Sequence, residues 1–376
     1  MFDFTHNKPG TIYEHRDRRI DSLRGVFLVI MTIDHFGGYL TKFTQQPLGY
    51  VSAAAGFVFI SGYVCFQAYG ESIDNYRKKL SKTVHRGVKI YKYHIFIVTI
   101  IPIISFMIPE YIGYWNRLLG GYYRSPVKTS LGEIFLVHQP KYMDILPMYF
   151  VFLILCPLLF FLLEKQKTKQ ILVFSFSLWA AGNFFNPIEF LDNCFSTQFN
   201  PGFFNIFSWQ FVFVLGVIVS KHRRSLLKKI ENRFMLFSLF GLNVLFFYFR
   251  HLDTNINDVL VLARSDFPAF RLLNFAVLCP LVAFCLTRFP RSAFLPFFEY
   301  LGRYSLQIYT IHILLIYFLL PFDWRIRDQF GPYGYSTYVV CAVLCLAILM
   351  HFYNTLRRLW KEGSRDGRFA TLRRRL

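Results

Sequence analysis

Residues 21–40 read DSLRGVFLVIMTIDHFGGYL. The run is long and apolar enough to cross a bilayer as a helix, yet it carries Arg24, Asp34 and His35. Arg24 and His35 are eleven positions apart. At about 3.6 residues per turn that is close to three turns, so the two side chains share one face about 16 Å apart along the axis. Charge is costly inside a bilayer, and an ionisable residue there is a functional hypothesis by default. We therefore expect an intramembrane histidine that does proton chemistry. Arg24 has a plainer alternative, snorkelling to the cytoplasmic interface. Asp34 and His35 lie about 100° apart around the helix, so they do not pair simply. Asp34 either orients a side chain from another span or binds a water near His35.

The rest of the chain repeats this kind of run. Of 376 residues, 54% are hydrophobic and 46 are Phe, more than a soluble core needs. Apolar stretches of about 20 residues fall at roughly 23–41, 50–69, 88–108, 144–163, 170–190, 203–220, 233–250, 269–287, 297–320 and 336–356. The expected fold is all-α: a polytopic integral membrane protein of about ten transmembrane helices. It forms a single domain over 1–376, with 1–22 a cytoplasmic segment and 357–376 a basic cytoplasmic tail. No short apolar stretch with a cleavage site precedes the first span, which should act as an uncleaved anchor.

A formal net charge of +20 raises nucleic acid as a partner, and its distribution argues against that. Most of the 42 Lys and Arg fall in HRDRR (15–19), YRKKLSKTVHRGVK (76–89), EKQKTK (164–169), KHRRSLLKK (221–229), RFPR (288–291) and TLRRRL (371–376). With the N-terminus in the cytoplasm these all lie inside, as the positive-inside rule requires, and an even span count returns the C-terminus there. The loop HLDTNINDV (251–259) then lies outside. The partner of the basic segments is the lipid bilayer with its anionic headgroups. Cys65, Cys156, Cys279, Cys285, Cys341 and Cys345 lie in apolar spans as small hydrophobes, and Cys194 stands in an outside loop. Neither a disulfide framework nor a metal site is expected from these spacings.

Several segments admit two readings. In AAAGFVFISGYVCFQAYG (53–70), the small residues serve helix packing, or Ser61-Gly62 breaks the helix beside a cavity. Arg77, Lys78, Lys79, Lys82, Arg86 and Lys89 form a solvated inside loop, or a phosphate clamp for a donor such as coenzyme A. The outside connection 109–143 contains EYIGYWNRLLGGYYRSP (110–126) and then TSLGEIFLVHQP (129–140), where Ser130 precedes Glu133 by three as at a helix start. It is an interfacial aromatic belt or a lid over a polar, sugar-like acceptor. Asn200, Asn205, Trp209 and Gln210 at the entry of span six are acceptor contacts or interhelical glue. In FEYLGRYSLQIYTIHILLIYF (298–318), Ser305, Tyr309 and His312 share one face. His312 is a second functional histidine or a satisfied buried one. His94 is assigned to packing, and His138 is uninformative.

These blocks resemble the OpgC family, inner-membrane acyltransferases that attach succinyl groups to osmoregulated periplasmic glucans and are related to the acyltransferase-3 group. The likeness begins at RDRRIDSLRGVFLVIMTIDHFGG (16–38). It continues through FVFISGYV, RGVKIYKYH, SLWAAGNFFNPIE, FNIFSWQFVFVLG and FRLLNFAVLC, and ends at YLGRYSLQIYTIHILL (300–315). It implies a bacterial inner-membrane enzyme in which His35 is catalytic and Arg24 supports it. It also implies that basic residues after span two, here Arg86, meet an acyl-CoA donor.

The expected mechanism is acyl transfer from a cytoplasmic thioester, succinyl-CoA or acetyl-CoA, to a hydroxyl of an outward-facing glycan. His35, with an unperturbed pKa of about 6.5, removes the hydroxyl proton during attack, by direct transfer or through an acyl-histidine. Asp34 stabilises the imidazolium. Arg24, Arg19, Arg86 and Lys89 hold the donor. Ser305, Tyr309, His312, Trp209 and Gln210 serve the acceptor or the oxyanion. No permanently bound cofactor or metal is expected. The alternatives are a proton-coupled transporter or flippase of an envelope glycan or lipid-linked sugar, which should show an internal repeat, and a scaffold without chemistry. No such repeat is visible, and a scaffold gives Arg24, Asp34 and His35 no purpose.

Overall fold

The computed structural model describes residues 17–71, 75–119, 121–184, 200, 202–252, 267–289 and 295–365. Cys194, most of the loop 251–259, the chain before Asp17 and the tail beyond Arg365 lie outside the described residues. Within them the molecule is all-helical, and its one backbone bridge joins His138 to Asn200.

α1 (Arg18–Phe36) starts where the Asp17 carboxylate caps the Arg19 amide and stops at Gly37, whose φ of 74° a side chain would oppose. α2 (Ala53–Cys65) follows and ends in a π turn over Phe66–Gly70. Then come α3 (Tyr76–Met107), the short α4 (Pro126–Ile134), α5 (Ile145–Glu164) and α6 (Thr168–Phe184). α7 (Ile206–Lys221), α8 (Arg233–His251), α9 (Ala269–Arg288), α10 (Pro296–Arg303) and α11 (Ser305–Arg365) complete the series. α11 is two arms. At Gly331 (φ 62°, ψ −168°), directly before Pro332, the helix breaks. Proline disfavours the helical conformation in the residue before it, and glycine accepts the positive φ. The second arm returns along the first, with Tyr338 donating to the Leu319 carbonyl at 3.0 Å.

Each of the ten apolar runs overlaps a helix. Six stretches among the described residues are long and apolar enough to cross a membrane: Ala53–Gly70, Tyr76–Met107, Ile145–Glu164, Arg233–His251, Ala269–Arg288 and Ser305–Leu359. This is a membrane protein. α1 has a sufficient 19 residues, but its charged side chains keep it out of that set. The Phe excess faces outward on α8, where Phe246 is the one buried side chain and Phe234 is 80% exposed. Outside a bilayer that surface would be untenable.

Two close crossings set the interior. A methyl on Gly302 of α10 would stand 1.8 Å from the Asp21 carbonyl oxygen, and one on Gly25 of α1 would stand 1.9 Å from that of Phe298. Across α2 and α7, Gly62 and Gly216 would each meet a backbone oxygen at 2.1 Å, those of Phe213 and Phe59. Small residues that let backbones touch are the usual means of helix association in lipid.

Four expectations are corrected here. α2 runs unbroken through Ser61-Gly62, with Ser61 Oγ bonded to the Phe57 carbonyl at 2.8 Å, and its irregular turn comes later. The ninth run is not continuous but splits at Tyr304, between α10 and α11. α4 begins at Pro126, whose fixed φ suits a first helical position, so Ser130 is mid-helix and no cap. Lys79 belongs to no exposed clamp: it is buried, donating to Glu164 at 2.6 Å and to the π-turn carbonyl of Gly70 at 3.1 Å.

Candidate active site

The α1–α10 crossing places α1 beside the first arm of α11. Arg24 Nη2 donates to Ser305 Oγ at 2.7 Å, and the guanidinium lies 5.6 Å from the Phe57 ring centre. About three turns further along α1, His35 Nδ1 lies 3.3 Å from His312 Nε2, and the rings are 19° from parallel. His312 is completely buried, and His35 is half-buried as a residue. Both rings are enclosed by protein, and His312 lies on the α11 side of His35. Only one proton fits between the two nitrogens, so each ring fixes the tautomer of the other.

The connection 109–143 closes over this pair. Tyr142, held at a φ of 72°, lays its ring 4.3 Å from that of His35. Its carbonyl accepts from the buried Tyr309 hydroxyl at 2.7 Å, and the Tyr309 ring stands edge-on to His312 at 4.9 Å. The Lys141 carbonyl accepts from Tyr317 at 3.1 Å, and Trp115 Nε1 donates to the Tyr317 carbonyl at 2.8 Å. The end of α1 is held too. Arg327 Nη2 and the Tyr335 hydroxyl donate to the Phe36 carbonyl at 2.6 and 2.8 Å, a favourable place for a cation.

Arg24, His35, Ser305, Tyr309 and His312 thus come together on one helix pair. The Asp34 carboxylate points from a different side of α1 and accepts from Thr44 at 2.6 Å, in the turn after the helix. Arg19 bonds Asp17 at 2.8 Å and the Leu286 carbonyl at 2.9 Å. Lys89 lies within electrostatic range of Arg86 and of Arg357 on the returning arm. Trp209 packs on Phe204 and Phe267. Gln210 is consumed between α6 and α7: it accepts from Ser175 Oγ at 2.6 Å and donates to the Ser175 carbonyl at 2.7 Å. We therefore expect Gln210→Leu to leave catalytic activity unchanged while destabilising the fold by about 1–3 kcal/mol. Activity assays and thermal melts of the same preparation check this.

Sequence reading missed Tyr142, Tyr317 and Glu133. The first two act across more than a hundred residues of separation and left no local signal. Glu133 left one, a carboxylate in a short apolar segment. It is buried at 1% exposure in α4, and its backbone carbonyl sits 3.1 Å from His94 Nε2, which gives His94 a partner. Burial raises the Glu133 pKa from 4.5 to about 8. Its stabilising contribution is full below its unfolded pKa of 4.5 and is lost as pH rises to about 8. Glu133→Gln should flatten the decline in melting temperature over that window.

A family model described as OpgC protein matches residues 16–360. No curated protein and no solved structure matches the chain. The matched stretch contains α1, α10, the first arm of α11 and the connection between them and the histidine pair, which is to say the whole of the site; the chain belongs to the OpgC family.

Proposed function

We propose that this protein is an O-acyltransferase of the bacterial inner membrane. It moves a succinyl or acetyl group from a cytoplasmic acyl-CoA to a hydroxyl of a periplasmic glycan. The observation that carries the reading is the His35–His312 contact of 3.3 Å, with Arg24 on Ser305 lower on the same helix pair. Family membership supports an acyltransferase in general terms.

His35 Nδ1–H donates to His312 Nε2, which leaves the lone pair on His35 Nε2 for the incoming hydroxyl. The hydroxyl oxygen attacks the thioester carbonyl carbon as its proton passes to Nε2. The carbon–sulfur bond then breaks, and the proton passes to the departing thiolate. His312 is a positioning residue, like the group behind the base in other catalytic pairs. Arg24 lies about 16 Å below the base, roughly the reach of a pantetheine arm. With Arg19, Arg86 and Lys89 it meets the donor from the cytoplasmic side. Ten crossings with both termini in the cytoplasm put donor and acceptor on opposite faces, as the distribution of Lys and Arg supports.

The test compares glycans, by mass, from cells with and without the gene. The added mass identifies the acyl group, and unaltered glycans would refute the reading. A second expectation concerns the donor: Arg86→Ala should raise the KM for acyl-CoA several-fold with little change in kcat. An unchanged KM would remove Arg86 from the donor site.

A further inference from the structure

We infer that α4 is a lipid-docking helix: it lies alongside the membrane-spanning helices and sets Val127, Leu131, Ile134 and Phe135 against phospholipid acyl chains. Its amphipathic pattern is inverted relative to a helix in water. The buried face holds Thr129 and Glu133, at 8% and 1% exposure, while Val127, Leu131, Ile134 and Phe135 are 74%, 49%, 42% and 71% exposed. Steps of four, three and one residues put those four on one side of the helix. An exposed apolar face of this kind marks an interaction surface. The placement does not depend on the acyl-transfer reading.

Depth identifies the occupant. α3 and α5 run side by side in opposite directions, from the Lys79–Glu164 ion pair at 2.6 Å to the Tyr91 and Phe150 rings at 5.2 Å. Both helices are long and apolar enough to cross a membrane. Tyr91 is thus level with a residue roughly 8 Å inside the start of α5, and α3 continues past it to Met107, about 24 Å further. α4 ends at that level: the Tyr91 hydroxyl donates to the Ile134 carbonyl at 2.9 Å, and His94 Nε2 lies 3.1 Å from the Glu133 carbonyl oxygen. The last turn of α4 therefore flanks the two spans instead of capping them. Carbonyls at a helix end in hydrocarbon have no water to bond and need partners from the protein. Here a spanning helix supplies them. Near this depth the spans present apolar side chains too, Phe96 of α3 and Ile154 of α5, at 49% and 38% exposure. The exposed charge of α4, Lys128, lies in its first turn, from where a lysine stem reaches the headgroups. The helix is therefore tilted, first turn at the headgroups and last turn about 5–10 Å deep, as amphipathic interfacial helices lie. It anchors in lipid the connection that lays Tyr142 on His35.

The experiment uses the unmodified full chain in nanodiscs of phosphatidylcholine and phosphatidylglycerol. Two diazirine phospholipids serve as probes, one reactive at the headgroup and one midway along an acyl chain. After photolysis, peptide mass spectrometry reads which residues carry lipid, and hydroxyl-radical footprinting of the same discs reads contact with water. The acyl-chain probe should label Leu131, Ile134 and Phe135 as it labels Leu155 and Leu158, which α5 exposes at 55% and 53%. The headgroup probe should label Val127 and Lys128, and radicals should leave Leu131, Ile134 and Phe135 unmodified. Radical modification of those three without lipid label puts α4 in water and overturns the inference. Labelling of Phe135 by the headgroup probe alone puts the whole helix on the membrane surface and also overturns it. Protection from both probes and from radicals assigns the face to protein, a second copy of the chain included, and overturns it as well.

Discussion

His35→Ala is expected to lower the rate of acyl transfer by about 10²–10⁴-fold, the usual worth of a positioned general base. The loss should appear in kcat, because the ring acts on the hydroxyl only as it attacks. Protein in the membrane should remain folded. His35 packs against Tyr142 and His312, so its removal leaves a small void. It also strands His312 Nε2, which has lost its partner at 3.3 Å, at a cost of about 1–3 kcal/mol. A modest fall in melting temperature with a large fall in kcat is therefore the signature. His312→Ala and His312→Gln separate base from support. Alanine leaves the His35 tautomer free, whereas the glutamine carbonyl can still accept from Nδ1–H and should restore part of the rate. Mass spectrometry of glycans incubated with membranes and donor provides the readout. Wild-type acylation by His35→Ala would remove His35 from the chemistry altogether.

The elements of this site differ in how far the sequence disclosed them. Arg24 and His35 were legible because charge in an apolar run is rare and helix periodicity is fixed, so their shared face needed no tertiary knowledge. Ser305, Tyr309 and His312 were legible as a face for the same reason. That the two faces meet was not, because it depends on Gly25 and Gly302 bringing two backbones into contact. Residue type alone left Gln210 open between acceptor contact and interhelical glue, and Lys79 between a solvated loop and a clamp; each is bound to a neighbouring helix. The connection was the least readable part. Tyr142 reaches His35 through a left-handed backbone turn and through carbonyls held by Tyr309 and Tyr317, and no periodicity announces any of these.

That crossing supplies the second large expected effect. In Gly302→Val even the first added carbon would lie 1.8 Å from the Asp21 carbonyl oxygen, against backbone that cannot rotate away. Ordinary contact needs over 3 Å, so α1 and α10 must part by roughly an ångström or more. Overpacking of this kind costs about 1–3 kcal/mol and sometimes more. The functional loss should exceed the loss of stability. Ser305 lies three residues past Gly302, and Arg24 directly precedes Gly25, so the shift stretches their 2.7 Å hydrogen bond and moves His35 relative to His312. Displacement of reacting groups by about 1 Å can cost about 10²-fold in rate. Gly241→Ala in α8 is the matched control, because a methyl there meets nothing within 4 Å. It should keep full activity and gain up to about 1 kcal/mol, as a helix does when glycine becomes alanine. Thermal melts and glycan acylation, measured on both variants in the same lipid, read the two effects apart. Equal behaviour of the two variants would mean that the α1–α10 contact does not set the geometry of the site.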